Sequence, residues 1–192
     1  MKIGECQVIL HAALEKTRVA ALPETVLGRT GQAEIGMARA YLSDGITFSE
    51  SGDPVNALAS FYYAFGWLHC GNASGTLITD MKTPPCPFIS PCERLGAAYA
   101  GKLSEKTGRY NRLLDTARSS VIAAPDHSTP AHLFATRILH VAGTYSGCGR
   151  WLIREGRHED ALASFSYGHG WLDAGVREGL FTITAERDIF TV

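Results

Sequence analysis

Residues 155–179 read EGRHEDALASFSYGHGWLDAGVREG, and residues 51–75 read SGDPVNALASFYYAFGWLHCGNASG. Set against each other at an offset of 104 without a gap, 12 of the 25 positions are identical. The matches include the block 57–61 with 161–165, Tyr63 with Tyr167, Gly66-Trp67-Leu68 with Gly170-Trp171-Leu172, and Gly71 with Gly175. A five-residue block and a tryptophan held in one register mark an internal duplication, which constrains the architecture before any local reading does.

Working outward from that stretch, the signals are helical. Gly52 suits the left-handed residue that ends a helix, Asp53 is a good N-cap, and Pro54 suits a first helical position. The tripeptide therefore predicts a tight turn between a helix over 24–50 and a third helix running to about 80. Pro23 divides the former from a first helix over 4–21. On the second helix Val26, Thr30, Ala33, Met37, Tyr41 and Phe48 form a stripe at helical spacing. In the second copy the helices are expected over 91–123, 130–155 and 158–183, with Thr129-Pro130 repeating the cap-plus-proline start. No alternating Val/Ile-rich run predicts a strand. Upstream of the block Tyr41 still meets Tyr145 at the same offset, whereas Glu15-Lys16-Thr17 resembles Glu105-Lys106-Thr107 at an offset of 90. The difference between the offsets predicts about 14 extra residues between the first and second segments of the second copy.

The fold class is all-α: two tandem up-and-down three-helix bundles packed together. The stretch 82–92, KTPPCPFISPC, holds four prolines and cannot be helix interior. Ser90, Pro91 and Glu93 then read as a cap, a first helical position and a capping-box acid. The expected organisation is a first repeat over 1–82, a proline-rich linker over 83–90, and a second repeat over 91–192 with a longer first helix.

Composition excludes several functions. Of 192 residues, 45% are hydrophobic and 19% charged, with 18 Lys and Arg against 19 Asp and Glu. A net charge of −1 gives no electrostatic reason to expect nucleic acid or an anionic membrane as a partner. The N-terminus, MKIGECQVILHAALEKT, lacks the continuous apolar core of a signal peptide, and no run reaches the roughly 20 apolar residues of a membrane span. A soluble cytoplasmic protein is expected. Five cysteines without a CxxC argue against a disulfide framework or a structural zinc site. Cys86 and Cys92 are close enough in sequence for a bridge to be conceivable, although a reducing cytosol leaves them free thiols.

The third helix of each copy carries the candidate site. Leu58, Phe61, Phe65 and Leu68 form one apolar stripe, and Ala59, Tyr63, Gly66, Trp67 and Cys70 a second. A helix apolar on two faces is usually buried on both, and the paired glycines call for close approach by a helix or a ligand. The expected candidates for an interface or ligand groove are Tyr63, Gly66, Trp67, Tyr167, His169, Gly170, Trp171 and Asp173. His169 and Asp173, which replace Phe65 and His69 of the first copy, are four apart and can meet on one helix face. A histidine oriented by a carboxylate is both an acid–base pair and a common structural hydrogen bond. No HExxH, GxGxxG, P-loop or GxSxG occurs, and no Arg has a His four to six intervening residues later, as helical ribonucleases do. The offset of 104 also disfavours a tetratricopeptide array.

The run from Gly156 through Tyr167-Gly168-His169-Gly170-Trp171-Leu172-Asp173-Ala174-Gly175 to Gly179 resembles the signature of the archaeal domain of unknown function 357 family. Residues 52–68 resemble it too, departing at His69-Cys70 where the pattern has the acid and alanine of Asp173-Ala174. The resemblance implies a left-handed, spectrin-like three-helix bundle per copy and an archaeal source. It implies no catalytic residue, metal or cofactor. The expected function is a non-catalytic binding or assembly module with a protein partner or self-association, for instance as a homodimer. The alternative is a small-molecule-binding protein or enzyme with a pocket around Tyr167, His169, Trp171 and Asp173.

Overall fold

The computed structural model describes residues 1–81, 87 and 90–191. Cys86 and nearly all of the expected linker 83–90 lie outside the described residues. Among the described residues six helices form two three-helix units: α1 (Ile3–Lys16), α2 (Val26–Glu50) and α3 (Pro54–Ser74), then α4 (Ala100–Ser119), α5 (Pro130–Arg154) and α6 (His158–Arg177). Local chemistry sets several of these boundaries. The Thr25 hydroxyl accepts from the Gly28 N–H at 2.9 Å, and the Asp53 carboxylate accepts from the Asn56 N–H at 3.2 Å, each capping a helix. Thr129 caps α5 in the same way. Gly52 and Gly156 adopt φ of 77° and 68°, so both α2–α3 and α5–α6 turn through a left-handed residue.

Each unit is closed by an antiparallel ladder too short to leave a periodic sequence signal. β1 (Arg18–Val19) pairs with β2 (Leu77–Ile78), and β3 (Val121–Ala123) with β4 (Phe181–Ile183). These ladders tie the exit of the first helix to the exit of the third. They are why α1, α3 and α6 end at Lys16, Ser74 and Arg177, earlier than their apolar content predicts.

Three further expectations are corrected. The stripe of α2 that is buried runs through Gly28, Gly31, Ile35, Ala38, Leu42 and Gly45, while Val26 is 70% exposed. Glycines form this face because neighbours pack close: a Cβ on Gly28 would meet the Leu22 carbonyl and one on Gly31 would meet Val19, while a Cβ on Gly45, or on its counterpart Gly149, would collide with the ring of Phe61 or Phe165. The second copy carries no 14-residue insertion, since α1 and α2 are separated by residues 17–25 and α4 and α5 by 120–129. Lastly, no helix begins at Pro91. Residues 91–96 are irregular, followed by a 3₁₀ turn over Ala97–Tyr99 and only then by α4. The Glu93 carboxylate accepts from the Ile3 N–H at 2.6 Å, so it caps α1 and not a helix of its own. The neighbouring N–H groups of Cys92 and Leu95 donate to Asp160 (2.6 Å) and Glu159 (2.9 Å) in the first turn of α6.

The core is the seam between the units. α3 packs on α1 and α2 on one side and on α6 on the other; α6 packs likewise on α4, α5 and α3. Residues 57–71 and 159–176 are buried without a break. The two apolar stripes of α3 thus face its own bundle and the other repeat. Leu58, Phe61, Phe65, Trp67 and Leu68 are each essentially inaccessible to water, worth about 1.5–3 kcal/mol apiece. Gly66 and Gly170 mark the crossing. A Cβ on Gly66 would stand 2.5 Å from the Tyr167 carbonyl oxygen and 2.9 Å from the Gly170 Cα, and one on Gly170 would meet the Tyr63 carbonyl.

Candidate functional site

The duplicated helices place two reciprocal polar contacts across the seam. Tyr63 of α3 reaches residue 173 of α6, and Tyr167 of α6 reaches residue 69 of α3. Each pair is related by the offset of 104. The first contact is Tyr63 Oη donating to the Asp173 Oδ2 carboxylate oxygen. The second is His69 Nδ1 with Tyr167 Oη at 3.0 Å. A second tyrosine from the middle helix of each unit flanks each contact: Tyr41 lies 4.3 Å from Tyr63 and Tyr145 lies 4.4 Å from Tyr167, centroid to centroid. Trp67 and Trp171 sit 6.4 Å behind Tyr63 and Tyr167 in turn.

The two contacts differ in chemistry because residues 69 and 173 differ. Burial holds His69 well down, to about 4, so its ring is neutral in the seam. Burial, and then the charge of Asp173, push the Tyr63 hydroxyl well above its usual range. Asp173 Oδ2 also accepts from the Thr191 hydroxyl at 2.7 Å, and that hydroxyl lies 2.8 Å from Tyr63 Oη. The other oxygen, Asp173 Oδ1, is buried without a hydrogen bond. It stands 3.7 Å from His169 Nε2, within ion-pair range, and that nitrogen is likewise buried without a hydrogen bond. The sequence-predicted neighbours do meet, but the carboxylate's hydrogen bonds go to Tyr63 and Thr191.

Beside this first contact lies a cavity of about 140 Å³. Tyr41 from α2, Ala59, Ser60 and Tyr63 from α3, Tyr110 and Leu113 from α4, His169 from α6, Ile189 at the end of the last 3₁₀ turn (Arg187–Ile189) and Thr191 beyond it line the cavity. Of the eight expected interface or ligand residues, Tyr63 and His169 line it. Asp173 is held behind Tyr63. Tyr167 contacts His69 and Tyr145, Trp67 and Trp171 are packed in the seam, and Gly66 and Gly170 form the helix crossing. Tyr41 was visible through its match to Tyr145; Tyr110, Leu113, Ile189 and Thr191 carry no repeat signal. Among the described residues no group of three or more His, Cys, Asp or Glu side chains is arranged to hold a metal ion.

A second polar cluster spans the seam at the other end of α3. Glu34 is fully buried and accepts from the Thr76 hydroxyl at 2.5 Å, while Glu178 accepts from the Cys70 thiol at 3.8 Å. Burial and then the charge of Glu178 raise the Glu34 carboxyl to about 9. Ile138 occupies the corresponding place in the second copy.

Against family models, the chain matches the family described as protein of unknown function (DUF357), over residues 7–77 and again over 109–181. The chain belongs to the DUF357 family. It carries two copies of the family's domain in tandem. The second match opens at Arg109, inside α4, so the first turns of that helix precede the part shared by the copies. No curated protein and no solved structure matches the chain. Among the described residues, no helix is long and apolar enough to cross a membrane.

Proposed function

We propose that this tandem DUF357 chain is a non-catalytic binding module, and that its ligand site is the seam cavity beside Tyr63 and His169. The observation that carries the reading is the pairing of that cavity with buried hydrogen-bonding capacity. His169 lines it, and His169 Nε2 and Asp173 Oδ1 have no hydrogen-bond partner. Buried polar atoms are nearly always satisfied, and sites left open are disproportionately functional. The copies also differ in chemistry here, since the first has Phe65 where the second has His169, which lines the cavity. Amide and aromatic NMR spectra of the full chain, recorded against a set of small polar fragments, test this. Saturable shifts clustered on Tyr41, Tyr63, Tyr110, His169 and Thr191 are expected; a screen with no response there refutes the reading.

The wider reading, of a protein partner or a homodimer, draws on surfaces other than the seam, because Trp67 and Trp171 are consumed inside the chain. Leu22, Val26 and Leu27, at the corner between α1 and α2, are 71%, 70% and 60% exposed and support it. Sedimentation of the chain and of a Val26→Asp/Leu27→Asp variant is its test. A cytoplasmic setting is supported by the buried free thiols of Cys6 and Cys70.

A further inference from the structure

Three tyrosines from three different helices, Tyr41, Tyr63 and Tyr110, converge on the seam cavity. No Lys or Arg lines it; His169 does, with its Nε2 3.7 Å from the Asp173 carboxylate. The charge closest behind the rings is the Asp173 carboxylate, whose Oδ1 has no hydrogen bond. Beyond the rim, Asp44 and Arg109 are both exposed, of opposite sign, and screened by solvent. Aromatic faces attract cations through their quadrupole, most strongly where water is excluded, and cages of such rings recognise quaternary ammonium groups. The volume of about 140 Å³ is comparable with the roughly 150 Å³ that accepts a benzene-sized guest.

We infer that the cavity takes a small organic ammonium cation, of the size of a tetramethyl- or trimethylammonium group, with Tyr41, Tyr63 and Tyr110 as its cage and Asp173 as its counter-charge. This rests on reading the cavity as a ligand site. It adds the sign and class of the ligand. The hydroxyls of Tyr63 and Thr191, both donating to Asp173 behind them, give the charge a fixed direction. The half-buried Tyr41 and Tyr110 leave a rim through which a compact cation enters.

The test titrates the full chain with three tetrahedral probes of similar size, namely tetramethylammonium chloride, tert-butanol and sodium pivalate, following the ring signals of Tyr41, Tyr110 and His169. Tetramethylammonium is expected to bind about tenfold or more tighter than tert-butanol, with pivalate weakest. Tyr110→Leu, at a half-buried rim position that leaves the core intact, is expected to weaken the cation about fivefold and tert-butanol by much less. Asp173→Asn is expected to remove the preference for the cation over the alcohol. If tetramethylammonium and tert-butanol bind equally, the cation assignment falls and the cavity stands as a site for neutral ligands. If none of the three binds, the cation assignment falls together with the site.

Discussion

Gly66 lies against Gly170, backbone to backbone, where α3 crosses α6, and the whole seam is set by that contact. Gly66→Ala sets two effects against each other. Alanine gains about 1 kcal/mol of helix propensity. Its Cβ would also stand 2.5 Å from the Tyr167 carbonyl oxygen, part of a backbone that cannot move without parting the repeats. Overpacking of this kind costs about 1–3 kcal/mol, so the clash is expected to win. The urea midpoint should fall with little change in m-value. Gly36→Ala is the control. Its position on α2 is exposed, with nothing within 4 Å of an added Cβ. It should therefore stabilise by roughly 0.5–1 kcal/mol.

Tyr63→Phe and Tyr167→Phe each remove one hydroxyl from equivalent places in the repeats, and their costs are expected to differ. Tyr63 donates to a carboxylate, a bond worth roughly 1.5–3 kcal/mol, and its loss leaves Asp173 with Thr191 alone. Tyr167 contacts a neutral imidazole at 3.0 Å, worth roughly 0.5–1.5 kcal/mol. Denaturant unfolding of both variants decides it. Equal losses would mean that the bond to Asp173 is worth no more than the one to His69.

What the sequence made legible follows from how local each signal is. The turn at Gly52-Asp53-Pro54 was readable because cap, proline and left-handed glycine act within four residues. The seam was readable as a helix with two apolar faces and repeated glycines. The buried face of α2 was not, because Gly28, Gly31 and Gly45 carry no hydrophobic signal although they admit close neighbours, the Leu22 backbone at Gly28, Val19 and Thr76 at Gly31, and Phe61 of α3 at Gly45. Ser90-Pro91-Glu93 misled because the groups that would start a helix there are taken by Ile3, Glu159 and Asp160, all distant in sequence. The cavity was half visible: Tyr63 and His169 lie in the repeated block, but Tyr110 and Thr191 reach it only through tertiary packing.

The buried Glu34 makes stability depend on pH with a definite sign. Its carboxyl is raised to about 9 in the folded chain, against an ordinary value near 4.5. Between those values the folded state holds a proton that the unfolded state has released, so stability falls as pH rises. The contribution is fully present below about 4.5 and lost by about 9. Its steepest slope is on the order of 1 kcal/mol per pH unit. Glu34→Ile, which installs the residue of the second copy, is expected to flatten the curve between these limits and to raise stability at its alkaline end. Thermal melts at half-unit pH intervals measure it. A variant with the parental slope would place the proton elsewhere, on Glu178 for instance.

Glu159 and Asp160 hold the segment that joins the repeats, and this hold is expected to open locally. Both acids stand at the N-terminus of α6, where the helix dipole favours them; Glu159 spends both oxygens on Arg94 and Leu95, while Asp160 accepts from the Cys92 N–H with one oxygen and from Arg157 with the other. Arg94 adds an ion pair to Glu159 at 2.8 Å, but with its side chain more than half exposed it contributes little by itself. The backbone bond from Leu95 to the buried Glu159 carboxylate keeps the Arg94–Leu95 peptide against α6. Glu159→Ala removes that bond and leaves the rest of the seam in place. Trypsin cleavage after Arg94 should then accelerate severalfold, while the melting temperature of the full chain moves by only a few degrees. A cleavage rate that tracks global unfolding in parent and variant alike would mean that the segment is held by the fold as a whole, and that the two carboxylates at the start of α6 are not its clasp.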